Sequence, residues 1–493
     1  MKSFGLITTS LLTFLLLQGC NNDSQNDNAN KGNHLNTRFL YTSTNDINAN
    51  QVIQFNIADN GSLIEQQAVP TGGVGDADDG DFDTQGAIRI IGDKLLVVNA
   101  GESVNNPNIT TNNGSISVFD INNTNGTLTR IDQRVDDTGI QNMDSFGKRP
   151  VSIDFHTYNG TTWVVVANQQ DVSHCVTPTA ANTLATCLDQ YGKPISEHLA
   201  DPNPRTRNIH LFKFNQTSGV LTPIKQLDFY TAKLNGPAQV AFSPNGKKLA
   251  VTTLGIGNVG YPAKENLSTP AHTFLYDIQA DEKNFSVQNR RYFANKGILA
   301  SIGFSWSSDS RYLYVSNALL SSRWVSNNAD SANASLISLD TNDSDNVFNS
   351  DIAQESLPSG TGVISSTTRP AACWTWLSPD NKRLYSVDFN TNKVINFGVN
   401  GNLLESNQTI TRKHATEGDS KDIYITANQK RAYVLSFKSH AISIFDIDED
   451  GLLTEKASSP LAVKASVKNG IQIPVEQQFF IGIAGYPNTY IGF

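Results

Sequence analysis

One unit recurs along the chain and restricts its fold more than any other feature does. The segment "GPAQVAFSPNGKKLAVTT", which begins at Gly236, consists of an apolar run, a short polar turn and a second apolar run rich in β-branched residues. Similar segments begin near Gly86, Arg149, Ser301, Arg369 and Ser420. Residues of this kind on both sides of an Asn, Asp, Gly or Ser turn are typical of a β-hairpin. The sequence therefore predicts six hairpins of one design.

A second pair of strands follows most of the hairpins. "GSISVFDINNTNGTLTRI" from Gly114 and "AISIFDIDEDGLLTEK" from Ala441 each contain an alternating strand, a polar turn and another strand. No segment shows the periodicity of an amphipathic helix. Four antiparallel strands in each repeat are the sequence pattern of a propeller blade, so we predict an all-β propeller.

The two ends of the chain decide the number of blades. Residues 39–67 contain the second, third and fourth strands of a blade but no first strand. The segment "NGIQIPV" from Asn469 is a candidate for that strand, and it would complete a seventh blade and close the ring, which removes exposed sheet edges. The tail "FFIGIAGYPNTYIGF" from Phe479 is then unassigned, so a ring of eight blades is the alternative.

The amino-terminal segment predicts export and lipidation. Lys2 precedes an apolar run from Leu6 to Leu17, and Gly19-Cys20 follows it. This is the pattern of a lipoprotein signal peptide at residues 1–19, with Cys20 as the lipidated residue. A transmembrane helix, the alternative, needs about 20 apolar residues. Residues 20–37 are then a polar tether, residues 38–493 the propeller domain, and Asn21 favours an outer-membrane destination.

Charge and cysteine content narrow the partners and the compartment. The net charge of −9 comes with scattered lysines and arginines, which excludes nucleic acid as a partner. Cys175 and Cys187 lie in one polar insertion and are predicted to form a disulfide in an oxidising compartment, with metal binding beside His174 as the alternative. Cys373 stands in an apolar run and is interpreted as a buried small residue rather than a nucleophile.

The repeats are similar to those of a known family. "GPAQVAFSPNGKKLAV" and "PAACWTWLSPDNKRLYSVD" resemble the units of lactonase-type seven-bladed propellers, which include 6-phosphogluconolactonase and carboxy-muconate cyclases. The resemblance implies an arginine, histidine and glutamate cluster at the mouth of the central channel, with an inner strand that begins Gly-Pro-Arg-His. Here that position reads Gly236-Pro237-Ala238-Gln239, and Pro150-Val151-Ser152 stands where another member strand has a histidine. Ala238 and Gln239 supply neither a base nor a cation.

Several other polar groups begin inner strands and are candidates for ligand binding at the channel mouth. They are Arg149, Gln239, Arg369, Lys421 and Asp422. An arginine there can bind a carboxylate or phosphate through two hydrogen bonds. The alternative is that these side chains link neighbouring blades. His156 is interpreted as a solvated turn residue, with a catalytic base as the alternative.

An acidic loop and a long insertion complete the set of candidate sites. The loop "GDADDGDFD" from Gly75 contains Asp76, Asp78, Asp79, Asp81 and Asp83, a set of hard oxygen ligands that suits calcium, with a solvated loop as the alternative. The insertion at residues 169–207 is too polar for a core, and long loops on regular scaffolds often bind partners.

The sequence therefore predicts a lipid-anchored binding propeller of the cell envelope. Its predicted partners are the membrane, through the lipid on Cys20, and an envelope protein, a glycan or a small carboxylate. No cofactor is required, and calcium is the one ion that the pattern favours. A lactonase-type hydrolase is the alternative function, although phosphorylated sugar lactones are cytoplasmic metabolites. A redox partnership has no cofactor motif to support it.

Overall fold

The chain was analysed as a computed structural model. It describes residues 36–76, 84–101, 113–134, 139–170, 179, 181–188, 194–198, 206–255, 269–321, 332–342, 357, 360–365, 370–413, 418–437, 439–464 and 479–487. All of them lie within one compact unit of the chain.

The strands form seven separate antiparallel sheets. The first sheet along the chain contains β1 (Phe39–Ser43), β2 (Gln51–Ile57), β3 (Leu63–Glu65) and β4 (Val69–Pro70). The second contains β5 (Ile88–Ile91), β6 (Lys94–Asn99), β7 (Ser115–Ile121), β8 (Leu128–Ile131) and β9 (Met143–Asp144). The third contains β10 (Pro150–Tyr158), β11 (Thr161–Asn168), β12 (Asn208–Phe214) and β13 (Leu221–Phe229). The fourth contains β14 (Pro237–Phe242), β15 (Lys248–Thr253), β16 (His272–Ala280) and β17 (Phe285–Ala294). The fifth contains β18 (Ile298–Trp306), β19 (Tyr312–Leu320), β20 (Ala332–Asp340) and β21 (Gly362–Ser365). The sixth contains β22 (Ala372–Leu377), β23 (Arg383–Asp388), β24 (Lys393–Asn400) and β25 (Leu403–Thr411). The seventh contains β26 (Ser420–Ile425), β27 (Arg431–Ser436), β28 (Ala441–Ile447), β29 (Leu453–Glu455) and β30 (Leu461–Ala462). The last strand of the chain, β31 (Ile481–Tyr486), joins the first sheet.

The seven sheets are the blades of a propeller, numbered 1 to 7 from the amino terminus. Their inner strands β31, β5, β10, β14, β18, β22 and β26 contact one another in that order, and β26 returns to β31. The prediction of an all-β propeller with seven blades is confirmed, and the eight-bladed alternative is wrong. Within the described part of the chain, the one helix is the four-residue α1 (Ile195–His198). No described helix has the length and apolar content that crossing a membrane would require.

The ring is closed by a different strand from the one that the sequence predicts. β31 pairs with β1, with Phe39 opposite Tyr486 and Tyr41 opposite Ala484. The strand therefore comes from the tail that the sequence analysis leaves unassigned, and the predicted segment from Asn469 lies outside the described residues. Gly485 lets this strand pack closely against blade 7, because a Cβ atom there would lie 2.4 Å from the Tyr424 ring. A glycine-containing strand fits this gap.

Neighbouring blades are joined by a repeated contact. A tyrosine on the second strand of a blade donates its hydroxyl proton to the carbonyl oxygen of a glycine in the outer turn of the next blade. The pairs are Tyr41 with Gly126 (2.7 Å), Tyr314 with Gly401 (2.7 Å), Tyr385 with Gly451 (2.7 Å) and Tyr433 with Gly61 (3.1 Å). Trp163 makes a similar contact from its indole nitrogen to the Asp281 carbonyl oxygen at 3.1 Å. The Tyr433 contact joins blade 7 to blade 1 and so reinforces ring closure.

The long connections leave one end of the propeller, which we call the upper face. This is the end at which the inner strands begin, and the other end is the lower face. Pro150 at the start of β10 lies opposite Asn168 at the end of β11, so the connection at residues 169–207 leaves the upper face. The same register shows that the connections after β6, β15 and β19 also begin at the upper face. The tyrosine contacts lie toward the lower face.

Candidate functional site

A segment of the chain fills the central channel near the upper face. The segment is Thr84–Gly86, which precedes the inner strand of blade 2, and only 7% of Gln85 is exposed. The Gln85 side chain donates to the Thr375 carbonyl oxygen of blade 6 (2.7 Å) and accepts from the Thr375 amide (3.0 Å). On the blade 3 side, Ser152 donates to the Gln85 carbonyl oxygen (2.7 Å). The segment therefore spans the channel from one wall to the other.

Glycine at position 303 makes room for this arrangement. A Cβ atom at Gly303 would lie 2.2 Å from the Gln85 Oε1 atom. One blade earlier, Gln239 on the inner strand itself donates to the Phe304 carbonyl oxygen (3.1 Å) and accepts from the Phe304 amide (2.6 Å). Gln85 thus does for blade 6 what Gln239 does for blade 5. Both amides satisfy backbone groups that would otherwise be buried without partners.

Gln239 accordingly lies in an inter-blade contact. Its side chain is buried, and its amide nitrogen and oxygen are both engaged by Phe304. The neighbouring Ala238 is fully buried. This placement matches the alternative interpretation of the sequence, in which these side chains link neighbouring blades. A ligand-binding role for Gln239 would have to compete with two existing hydrogen bonds.

A charged cluster lies in the channel. The Arg89 Nε atom is 3.5 Å from the Asp154 Oδ1 atom and donates to the Ile153 carbonyl oxygen at 2.9 Å. Asp154 also accepts the amide proton of Phe242 on the next blade (2.7 Å). Burial raises the pKa of Asp154 to about 6, although the charge of Arg89 opposes the shift. Asp154 therefore titrates close to neutral pH rather than in the acidic range.

Asp422 belongs to the same cluster. Burial raises its pKa to about 7, while hydrogen bonds from the Ile423 and Ile483 amides and the charge of Arg89 act in the opposite direction. Ile483 lies on β31, so Asp422 contacts the strand that closes the ring. Sequence reasoning selected Asp422 but missed Arg89 and Asp154. The available signal was a single charged residue within each of two otherwise apolar inner strands, "AIRII" and "VSIDF".

Lys421 points away from the channel. Its Nζ atom lies 4.7 Å from the centre of the Trp374 ring, 4.6 Å from that of Phe437 and 5.4 Å from that of Phe389. Only 1% of the residue is exposed. The ammonium group is therefore held by aromatic rings between blades 6 and 7, an arrangement that stabilises a buried cation. Lys421 and Asp422 thus contact different groups, aromatic rings in one case and backbone amides in the other, although the charge of Lys421 also acts to lower the pKa of Asp422.

Arg149 is bound to the first residue of the acidic loop. Its Nε atom lies 3.0 Å from the Asp76 Oδ2 atom, and the arginine is nearly fully buried. Asp76 is itself fixed by Asn45, whose side chain exchanges two hydrogen bonds with the Asp76 backbone (2.5 and 2.9 Å). Arg369 lies outside the described residues, so its predicted convergence with Arg149 stays a prediction.

The calcium and disulfide predictions fall largely outside the described residues. Asp78, Asp79, Asp81 and Asp83 lie outside them, and the carboxylate of Asp76 is paired with Arg149. Within the described ranges, no group of three His, Cys, Asp or Glu side chains is arranged to hold a metal ion. Calcium binding therefore stays a prediction.

The predictions for the insertion's cysteines and for the lipid anchor also fall largely outside the described residues and stay predictions. Cys20, His174 and Cys175 lie outside the described residues, while Cys187 is buried against Ile195 in a small core. Cys373 is buried in β22, as its apolar surroundings predict. His156 lies at the lower face, where its ring contacts Tyr158 at a centroid distance of 4.7 Å and burial lowers its pKa. His156 lies within β10 and is partly buried, so its interpretation as a solvated turn residue is wrong, and it is remote from the channel mouth.

Backbone strain is concentrated where the insertion joins blade 3. Phe146, Arg149 and Gln170 have positive φ angles of 57°, 54° and 57°, which are unfavourable for bulky side chains. These segments are hydrogen-bonded to each other, since the Gln169 amide donates to the Arg149 carbonyl oxygen (2.9 Å) and the Gln170 amide to that of Lys148 (2.9 Å). Most other left-handed non-glycine residues here are asparagines, which tolerate this conformation.

Comparison with known proteins identifies the fold but no close relative. No protein-family model and no curated protein matches the sequence. The periplasmic gluconolactonase of Pseudomonas aeruginosa is similar in structure, with a TM-score of 0.50 and 14% identity over 88% of this chain and 98% of that one. A candidate 6-phosphogluconolactonase from Bacteroides fragilis gives 0.52 and 14% over 92% and 99%, and a protein from Lactobacillus plantarum gives 0.53 and 13% over 92% and 99%. The chain therefore shares the gluconolactonase-like seven-bladed propeller fold.

Proposed function

We propose that this protein is a lipid-anchored binding protein of the cell envelope that engages its partner through the upper face. The observation that carries the proposal is the filled channel. Thr84–Gly86 occupy the region where the resembling enzymes would admit a cyclic ester, and Gln239 is committed to Phe304. The groups that remain at this face therefore suit contact with a partner more than ester opening.

The insertion of blade 3 supports a binding role. One end is held by the Arg149 and Lys148 carbonyl oxygens, and the other by the Lys148 amide, which donates to the Thr206 carbonyl oxygen (3.2 Å). Arg149 and Gln170 have positive φ angles, and the Gln169 side chain donates to the Pro237 carbonyl oxygen at 3.1 Å. Strain of about 1–3 kcal/mol at each such residue persists only where the surroundings fix it, and it is common at functional sites. A fixed attachment lowers the ordering entropy that a loop loses on binding.

The position of the tether supports the same face. Asn36 accepts a hydrogen bond from the Asn428 side chain (2.9 Å), and Thr37 accepts one from the Ala427 amide (3.2 Å). Asn428 lies in the turn after the inner strand of blade 7, at the lower face. A lipid on Cys20 would hold the lower face toward the membrane and leave the upper face accessible. The periplasmic location named for the Pseudomonas gluconolactonase agrees with an exported protein.

A hydrolase is the second candidate, and one observation favours it. Asp154 lies 3.5 Å from Arg89, the charge of Arg89 also acts on Asp422, and burial raises the pKa values of the two carboxyl groups to about 6 and about 7. Carboxyl groups of this kind serve as general acids and bases, and an arginine stabilises developing negative charge. Catalysis there would require a substrate to reach the cluster although Thr84–Gly86 fill the channel near the upper face.

A sedimentation experiment tests the binding proposal. Full-length protein purified in detergent is mixed with the insoluble cell-wall fraction of the host, alongside a variant in which a short glycine-serine linker replaces residues 171–205. We expect the wild type to sediment with the wall material and the variant to stay in solution with an unchanged melting temperature. Equal recovery of both proteins, or no sedimentation of either, would contradict the proposal.

Fractionation tests the anchor separately. The wild type should be found in the membrane pellet, and Cys20→Ser should move to the soluble envelope fraction, because Cys20 is the proposed lipid attachment site. A Cys373→Ser variant serves as the matched control and should remain in the pellet. Retention of Cys20→Ser in the membrane would refute lipidation while leaving the binding proposal intact.

A further inference from the structure

An aromatic stack is exposed on the upper face beside the insertion. The Phe146 ring lies parallel to the His210 ring, with centroids 4.5 Å apart and an interplanar angle of 14°. Phe146 is 38% exposed, whereas His210 is buried. Because His210 covers one side of the phenylalanine ring, the accessible surface of Phe146 is provided by its other side and its edge.

The stack is braced from below and along the backbone. The Phe212 ring supports it, with its centroid 5.1 Å from that of His210 and 6.0 Å from that of Phe146. The Phe146 amide donates to the Asp144 Oδ1 atom (2.7 Å), and the Phe146 carbonyl oxygen accepts from the Asn208 side chain (2.8 Å). These bonds hold Phe146 at a φ of 57°, where a phenylalanine is strained. The structure therefore retains an unfavourable conformation that presents an apolar ring to solvent.

The surroundings of the ring restrict the ligand. Burial lowers the pKa of His210 to about 4, so the supporting ring is uncharged at neutral pH. Asn113 is partly exposed at the margin and donates to the buried Asp144 carboxylate at 3.0 Å. A buried carboxylate beneath the margin and a net charge of −9 disfavour a polyanion. A flat apolar surface with an amide at its edge suits a ligand with one apolar face and peripheral hydroxyl groups.

We propose that Phe146, supported by His210, is a stacking platform for a pyranose ring of a neutral oligosaccharide. The C–H face of the sugar packs on the phenylalanine ring, and a hydroxyl group at its edge reaches the Asn113 side chain. The inference rests on the proposed binding function of the upper face and specifies the class of ligand. The strain at Phe146 is then the structural requirement for placing the ring at the surface.

Substitution at Phe146 separates this role from a structural one. Glycine adopts a φ of 57° without strain, so Phe146→Gly should keep or raise the melting temperature while it removes the platform. Phe146→Trp should retain the stacking surface. Ile47→Ala, at another exposed apolar residue, is the matched control.

The measurement is calorimetric titration of the full-length protein with soluble β-1,4-glucan, β-1,3-glucan, α-1,4-glucan and chitin oligosaccharides, and with oligogalacturonate as the anionic probe. We expect at least one neutral oligosaccharide to bind with a submillimolar Kd, and Phe146→Gly to weaken it at least tenfold. Phe146→Trp and Ile47→Ala should stay within threefold of the wild type. No binding of any neutral oligosaccharide, a preference for oligogalacturonate, or an unchanged Kd in Phe146→Gly would overturn the inference. If the Phe146→Gly variant sediments with wall material as the wild type does, the result would reject this platform but not the binding proposal.

Discussion

The two faces of the propeller are built in different ways. At the lower face, four blade junctions repeat one contact between a tyrosine hydroxyl and a glycine carbonyl oxygen. The upper face is more varied, with Gln85 crossing the channel, Lys421 held by three aromatic rings and Arg149 paired with Asp76. Repetition suits closing a ring, whereas a specific site requires irregularity. The comparison teaches that the repeated contact serves the fold, and it is consistent with the proposal that the partner binds at the upper face.

Removal of the Gln85 side chain, which crosses the channel, should cause the largest change in the free energy of unfolding. Gln85→Ala leaves the Thr375 amide and carbonyl oxygen without their partners and opens a void over Gly303. Unsatisfied buried groups cost about 1–3 kcal/mol each, so we expect a loss of about 2–5 kcal/mol in the free energy of unfolding. Urea denaturation measures it. A loss below about 1 kcal/mol would mean that Gln85 does not fill the channel.

The charged cluster should make stability depend on pH. The folded-state pKa values of Asp154 and Asp422 lie above the unfolded value, so their stabilising contribution is complete below pH 4 and is lost as the pH rises through about 6 and 7.

We expect Asp422→Asn to flatten the stability profile between pH 5 and pH 8. The wild type should lose on the order of 2 kcal/mol more than the variant over this range, because the variant has no carboxylate to ionise in the channel. Denaturant melts at four pH values measure the difference. Parallel profiles for the two proteins would contradict the raised pKa of Asp422.

A smaller effect is expected at the lower face. Tyr433→Phe removes the hydroxyl donor to Gly61 at the junction that closes the ring, and Tyr385→Phe does the same at the junction before it. Each should lower the free energy of unfolding by about 1 kcal/mol, and the double variant by the sum. Neither should alter binding to wall material. A loss of binding in either variant would break the division between the faces.

Calcium should have the smallest effect, a small rise in the melting temperature. If the acidic loop binds the ion only in the folded protein, millimolar calcium raises the melting temperature by mass action. The Asp76 carboxylate is already paired with Arg149, so we expect a rise of only about 1–3 °C over a chelator control. Magnesium at the same concentration is the control for ionic strength. Identical melts in calcium and chelator would reject a calcium site.

The sequence predicts the scaffold well because each strand is encoded locally. The hairpin from Gly236 is visible in its apolar runs and its turn, and these match β14 and β15. The sequence misplaces the closing strand because the pairing of β31 with β1 joins the two ends of the chain, and no local pattern records such a contact. Arg89 and Gln85 were missed for the same reason, since their partners Asp154 and Thr375 lie on other blades. Non-local contacts of this kind are fixed by the closed ring.

Lactone hydrolysis tests most directly whether the upper face binds a partner or the channel performs catalysis. Full-length wild type, Gln85→Ala and Asp154→Asn would be offered gluconolactone, 6-phosphogluconolactone and aliphatic lactones, with acid release followed at constant pH. We expect all three proteins to match the uncatalysed rate, because Thr84–Gly86 cross the channel in the wild type and Gln239, which no variant changes, is bound to Phe304. Efficient turnover by the wild type that Asp154→Asn abolishes would contradict the account and identify the channel as an active site.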